Sequence, residues 1–206
     1  FHAPDRPVRE VARPETELLA GWAVEQARHV AGPPEGPGAC VVDLCTGSGA
    51  IAAAVAAEVP GARVHAVELD EAAHAWAARN LAGTGVDLRH GDMAEAFPDL
   101  VGAVDVVACN PPYIPLEAWE SVEPEARDHD PHRALFSGAD GLAALRVLER
   151  RAALLLRVGG VVGAEHADVQ GDAAVALFAG AGRWTEVVDH RDLAGRPRFV
   201  TARLAR

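Results

Sequence analysis

With 206 residues, half of them hydrophobic, the chain is long enough for an α/β fold with a full core, and one domain over residues 1–206 is expected. A net charge of −11 argues against tight non-specific binding to nucleic acid, and no apolar run reaches the roughly 18 residues of a membrane helix. All 19 basic residues are arginine, which excludes a Walker lysine, a Schiff base or a pyridoxal anchor.

Residues 1–14 carry Pro4, Pro7 and Pro14 among alternating charges and read as irregular. Pro14-Glu15-Thr16-Glu17 opens a helix: proline suits the first turn and acids suit the positive helix end. Leu18, Leu19, Trp22, Ala23 and Val30 give it a stripe to about residue 30. A Gly/Pro loop over 31–38 precedes an apolar strand from Cys40 to Leu44, which contains Asp43. Cys45-Thr46-Gly47-Ser48-Gly49 then turns into an alanine-rich helix ending near Glu58.

Strand, Gly-rich turn and helix together aim backbone N–H groups and a helix N-terminus at a ligand. The dinucleotide fingerprint G-x-G-x-x-G is not met, because Ala52 stands at the third glycine position. With Asp43 ahead of it, the turn looks like the S-adenosylmethionine loop of Rossmann-like methyltransferases. A second strand, Arg63 to Glu68, ends in an acid that can accept from both hydroxyls of a ribose. Leu69 follows it, and Asp70 is a plausible N-cap for a helix running through Asn80. A third strand, Val86 to His90, leads to Asp92 and Met93. The acid could accept from an adenine amino group and the methionine could pack on the ring; a capped turn reads almost as well.

A fourth strand, Val104 to Cys109, is apolar on both faces and stops in Asn110-Pro111-Pro112-Tyr113. The tetrad therefore sits on a stiff loop past the carboxyl end of a strand, where open α/β sheets bind ligands. It resembles the signature of methyltransferases that modify a planar, weakly nucleophilic NH2 group: a glutamine amide, or the exocyclic amine of adenine or cytosine. A long loop over 117–139 follows, then a helix from Asp140 to Arg157 ended by Gly159-Gly160. A strand over Val161–Glu165, a helix over Asp168–Gly180 and a closing hairpin of Thr185–Asp189 with Arg198–Leu204 complete the chain.

Cys40, Cys45 and Cys109 lie in or beside buried strands without CxxC spacing, so reduced thiols in a cytoplasmic protein are expected, and no metal. The sole histidine cluster, His129-Asp130-Pro131-His132, reads as a solvated loop. The start lacks both a signal peptide and a methionine, so a fragment or a processed product is expected.

The full set of motifs resembles the release factor glutamine N5-methyltransferases (the HemK type). The stretches concerned are Arg13-Pro14-Glu15-Thr16-Glu17, Asp43 to Ile51, Asn110 to Ile114, Ala134-Leu135-Phe136 with Gly138 and Gly141-Leu142, Glu165-His166, Gln170-Gly171, and Asp192-Leu193-Ala194-Gly195-Arg196. The resemblance implies a Rossmann-like class I methyltransferase: a seven-stranded, mostly parallel sheet with a C-terminal antiparallel hairpin and helices on both faces. It implies S-adenosylmethionine as donor, with S-adenosylhomocysteine as product, and no metal. Cofactor contacts are expected from Asp43, Cys45, Thr46, Gly47, Ser48, Gly49, Glu68, Leu69, Asp92, Met93 and Asn110. Substrate and catalytic contacts are expected from Asn110, Pro111, Pro112 and Tyr113. The implied partner is a bacterial peptide chain release factor, methylated on the glutamine of its Gly-Gly-Gln loop by a monomeric enzyme.

Three departures from the pattern stand out. The family's helical N-terminal domain is expected to be absent ahead of the first helix, Ala12 replaces a proline, and Cys45 stands where glycine is commoner. Two alternatives compete: an adenine amino-methyltransferase, disfavoured by the acidic chain, and a non-catalytic S-adenosylmethionine-binding module, disfavoured by the intact tetrad.

Overall fold

A computed structural model of the chain describes residues 14–32, 36, 38–113 and 141–206. The apolar runs become strands β1 (Cys40–Leu44), β2 (Arg63–Glu68), β3 (Asp87–His90), β4 (Val104–Cys109) and β5 (Leu156–Glu165). The closing hairpin is β6 (Trp184–Arg191) and β7 (Pro197–Leu204). They form one seven-stranded sheet in the order β3-β2-β1-β4-β5-β7-β6. All pairings from β3 through β5 are parallel, and β7 is antiparallel to both its neighbours.

Helices α1 (Pro14–Ala31), α2 (Ala50–Glu58) and α3 (Glu71–Asn80) cover one face; α4 (Ala143–Leu155) and α5 (Gly171–Gly180) cover the other. β4 shows how the sequence achieves this. Val106 and Ala108 join the core under α1 and α2, while Val107 and Cys109 join the core under α4 and α5, all fully buried. From Val106 to Cys109 every position is apolar, as a strand covered on both faces requires. The N-cap of α3 is Asp70, whose Oδ1 accepts from the amides of Ala72 and Ala73.

The first helix packs very closely on β5. A Cβ on Gly163 would come within 2.4 Å of the Trp22 ring and 2.9 Å of Leu19, so only glycine lets α1 lie against the strand. That approach carries the N-terminus of α1 to the carboxyl end of the sheet.

One expected boundary is corrected. Gly159-Gly160 does not terminate a helix; α4 ends at Leu155 and β5 starts at once. The glycine pair lies inside β5, where pairing with β4 jumps from Val104↔Leu156 to Val106↔Val161. Gly159 takes φ 84°, and a Cβ on Gly160 would meet Asp105 O at 3.1 Å. A strand irregularity, rather than a helix stop, consumes both residues. The hairpin strands are longer than expected because Asp192 locks a tighter turn. Its Oδ1 accepts from the amides of Ala194 and Arg196, and its Oδ2 from the guanidiniums of Arg196 and Arg198. The Arg196 amide first, with both guanidiniums, holds the Asp192 carboxyl down at about 2. The Asp-x-Ala-Gly-Arg motif is therefore a turn lock.

Candidate active site

The carboxyl ends of β1 to β5 converge on one edge of the sheet, and the side chains singled out from the sequence lie there. After β1 the chain enters left-handed backbone at Cys45 (φ 57°), Gly47 (φ 55°) and Gly49 (φ 85°). Cys45 is the one non-glycine residue of the three, and an L side chain in that conformation carries strain of about 1–3 kcal/mol. Four ties hold the loop, the last of them from Glu68. The Thr46 amide donates to Val67 O at 3.0 Å, and Asn80 Nδ2 donates to Ser48 O at 2.9 Å. Asp43 supplies the third, its Oδ2 accepting from Thr46 Oγ1 at 2.5 Å and from the Ala52 amide at 3.1 Å.

Asp43 is buried, and its Oδ1 has no hydrogen-bond partner among the described residues. Burial pushes its carboxyl up to about 7. The Thr46 and Ala52 hydrogen bonds oppose that shift, and the charge of Glu68 adds to it. In this fold Asp43 fastens the loop to the first turn of α2.

Glu68, at the tip of β2, reaches across to the same loop. Its Oε2 accepts from the Gly47 amide at 2.8 Å, and its Oε1 from the amides of Leu69 and Asp70, both at 2.9 Å. Leu69 is half exposed beside it. Beyond β3, Asp92 Oδ1 accepts from the Ala94 amide, the capped turn that its sequence also allowed. Met93 approaches the loop, its Sδ taking a contact from Cys45 Sγ at 3.5 Å.

β1 and β4 are neighbours, with Leu44 paired to Cys109, so the Gly-rich loop and the Asn-Pro-Pro-Tyr tetrad leave adjacent strand ends. Burial, with the neighbouring Cys45, drives the Cys109 thiol well above its ordinary range. Pro111 is buried, while Asn110, Pro112 and Tyr113 are half-buried.

The tetrad is fixed by residues for which the sequence alone predicts no role. Asn110 Nδ2 donates to Thr16 Oγ1 at 3.2 Å, and Thr16 Oγ1 donates to Glu165 Oε2 at 3.2 Å. The Tyr113 hydroxyl donates to Glu165 Oε1 at 3.3 Å, and Gln170 Nε2 donates to Tyr113 O at 3.0 Å. Glu165 is only 2% exposed at the end of β5. Thr16, Glu165 and Gln170 each fall within a stretch that carries the family resemblance, and that was the available signal. Ile114, the 134–138 stretch and the His129–His132 cluster lie outside the described residues. Among the described residues, no group of three or more His, Cys, Asp or Glu is placed to hold a metal, and no helix is long and apolar enough to cross a membrane.

Chemically, this edge offers a preorganised acceptor for a diol at Glu68 and N–H groups at the start of α2. It also offers a planar polar cradle at Asn110-Pro111-Pro112-Tyr113. Comparison with known proteins bears on the family and the fold. Residues 41–129 match a family described as a methyltransferase domain. A release factor glutamine methyltransferase of Streptomyces coelicolor is 58% identical over 197 residues, covering 95% of this chain and 68% of that protein. A 4-amino-L-phenylalanine/4-methylamino-L-phenylalanine methyltransferase of Streptomyces pristinaespiralis is 46% identical over 85% of this chain and 59% of that protein. Among solved structures, a ribosomal protein L11 methylase of Lactobacillus delbrueckii subsp. bulgaricus shares the fold. Its TM-score is 0.64 at 18% identity, over 95% of this chain and 81% of that one. The chain, a Rossmann-like class I methyltransferase fold by its sheet, belongs to the release factor glutamine methyltransferase family.

Proposed function

We propose that this chain transfers a methyl group from S-adenosylmethionine to the side-chain amide nitrogen of a glutamine, in the Gly-Gly-Gln loop of a bacterial peptide chain release factor. The observation that carries this reading is the Asn110–Tyr113 tetrad at the end of β4, next to the Gly-rich loop at the end of β1. S-adenosylmethionine, when bound, supplies a methyl group on a positively charged sulfur. The residues present suit it. Glu68 would take the ribose hydroxyls, the loop from Cys45 to Gly49 and the start of α2 would receive its amino-acid end, and Met93 would pack on its base.

An amide nitrogen is a poor nucleophile because its lone pair is delocalised into the carbonyl. The site must therefore hold that nitrogen in line with the methyl group and favour its rehybridisation. Asn110 Oδ1 and the carbonyl of Pro111 or Pro112 would accept the two amide hydrogens. Proline suits this role because it stiffens the loop and leaves its carbonyl free. Tyr113 would lie against the flat amide and keep water out. The methylated nitrogen is acidic and gives its extra proton to water, so positioning and electrostatics carry the rate rather than a strong base.

The test is mass spectrometry of a release factor incubated with the protein and donor, looking for one added methyl on the Gly-Gly-Gln peptide. The Streptomyces pristinaespiralis relative motivates a second arm with 4-amino-L-phenylalanine, whose NH2 is also planar and weakly nucleophilic. Methylation of that amine alone, or of adenine in DNA alone, would refute the release-factor reading.

A further inference from the structure

We propose that Thr16 and Glu165 are positioning residues that fix which way the Asn110 amide faces; the inference rests on the function proposed above. The polarity of the hydrogen bonds decides the matter. Both Glu165 oxygens accept, Oε2 from Thr16 Oγ1 and Oε1 from the Tyr113 hydroxyl, so Thr16 spends its single hydroxyl hydrogen on Glu165. The Thr16 oxygen is then left to accept, and it accepts from Asn110 Nδ2. With its NH2 held there, Asn110 must turn Oδ1 the other way, as an acceptor for the incoming amide.

Without this chain, an asparagine side chain could offer either end to the substrate, and the NH2 end would oppose a substrate N–H. Glu165 also takes the Tyr113 hydroxyl, so one buried carboxylate sets two of the four tetrad residues. The device depends on the close docking of α1 over Gly163, because Thr16 lies in the first turn of that helix. The hydrogen bonds described for Thr16 and Glu165 run to each other and to the tetrad, which separates their effect from donor binding.

The experiment uses the whole protein and compares Thr16→Val, Thr16→Ser, Glu165→Gln and the Val/Gln double variant. Thr16→Val keeps the shape and removes the hydroxyl. We expect it to lower kcat on release factor by on the order of tenfold or more, comparable to loosening one preorganised polar contact. The dissociation constant for S-adenosylmethionine should stay within about twofold, since an interaction made only in the transition state shows in kcat. Thr16→Ser should recover most of the rate. The double variant should be much less impaired than the product of the singles, because both break one chain.

A second readout needs no substrate. Hydrogen exchange at the Asn110 side-chain NH2 should be slow in the parent protein, faster in Thr16→Val and Glu165→Gln, and slow again in Thr16→Ser. If the parent leaves release factor unmethylated, the functional reading fails and the exchange data alone judge the positioning chain. Full kcat in Thr16→Val, multiplicative losses in the double variant, failure of serine to rescue, or unchanged amide exchange would each overturn the proposal.

Discussion

Asn110 and Thr16 stand 94 positions apart in the chain and 3.2 Å apart in space, joined by a hydrogen bond from the amide NH2 to the hydroxyl oxygen. Through that contact the helix that opens the described chain reaches the strand end expected to meet substrate. Asn110→Ala removes both the acceptor and the tie to α1. Single-turnover rates at saturating donor should fall by on the order of 10²–10³, as for loss of one preorganised polar group. Tyr113→Phe should cost less than Tyr113→Ala, because in the proposed site the ring would do the shielding and the hydroxyl would steady it on Glu165. Near-normal turnover in Asn110→Ala would end the amide-orientation mechanism.

Glu68→Ala should weaken S-adenosylmethionine binding by about 1–3 kcal/mol, the cost of leaving hydrogen-bonding groups unpaired. The structure adds a second loss. The amides of Gly47, Leu69 and Asp70 would lose their acceptor as well. Calorimetric affinity equal to that of the parent would remove Glu68 from the donor site.

The thiols should divide by position. Cys40 and Cys109 are buried and Cys45 is partly exposed in the Gly-rich loop, so Cys45 should be the one that alkylates in the folded protein. Saturating donor should slow that reaction. Equal Cys45 alkylation rates with and without donor, read by peptide mass spectrometry, would count against placing the donor at this loop.

Asp43 should make stability depend on pH. Its carboxyl titrates at about 7 in the folded chain, against the ordinary 3.8 that the unfolded chain retains. The folded state therefore binds more protons between these values, and this stabilising contribution is complete below about pH 4. It is lost as pH rises through about 7, where the buried group must ionise. Thermal melts from pH 5 to pH 8 should show a falling Tm, with a shallower fall in Asp43→Asn. The amide keeps an acceptor for Thr46 and Ala52 but carries no charge. Identical slopes in both proteins would place the pH dependence elsewhere.

The succession of strands and helices, and the neighbouring of β1 and β4, were legible because local signals pointed the same way. Apolar runs at β1 and β2 end close to acids, the glycine turn follows Asp43, and the double proline after β4 permits little but a rigid exit. Gly159-Gly160 sends a misleading local signal for a physical reason. Two glycines after a leucine-rich helix look locally like a stop, and only the pairing with Val104 and Val106 shows them to be a strand irregularity. The Thr16–Glu165 chain has no local trace, since its members come from α1 and β5 and meet only after the sheet has formed. The unusual conformation of Cys45 was visible only indirectly, as a non-glycine residue where the pattern favours glycine.

The three amides around Glu68 also bear on ions in solution. A carboxylate whose charge is already spread over three N–H dipoles is a weak trap for a hydrated cation, yet it still has lone pairs to offer a neutral hydroxyl. On a chain of net charge −11, magnesium will collect around many surface carboxylates. The tip of β2 is buffered against that competition, so occupancy of this edge by a sugar should be nearly insensitive to magnesium concentration.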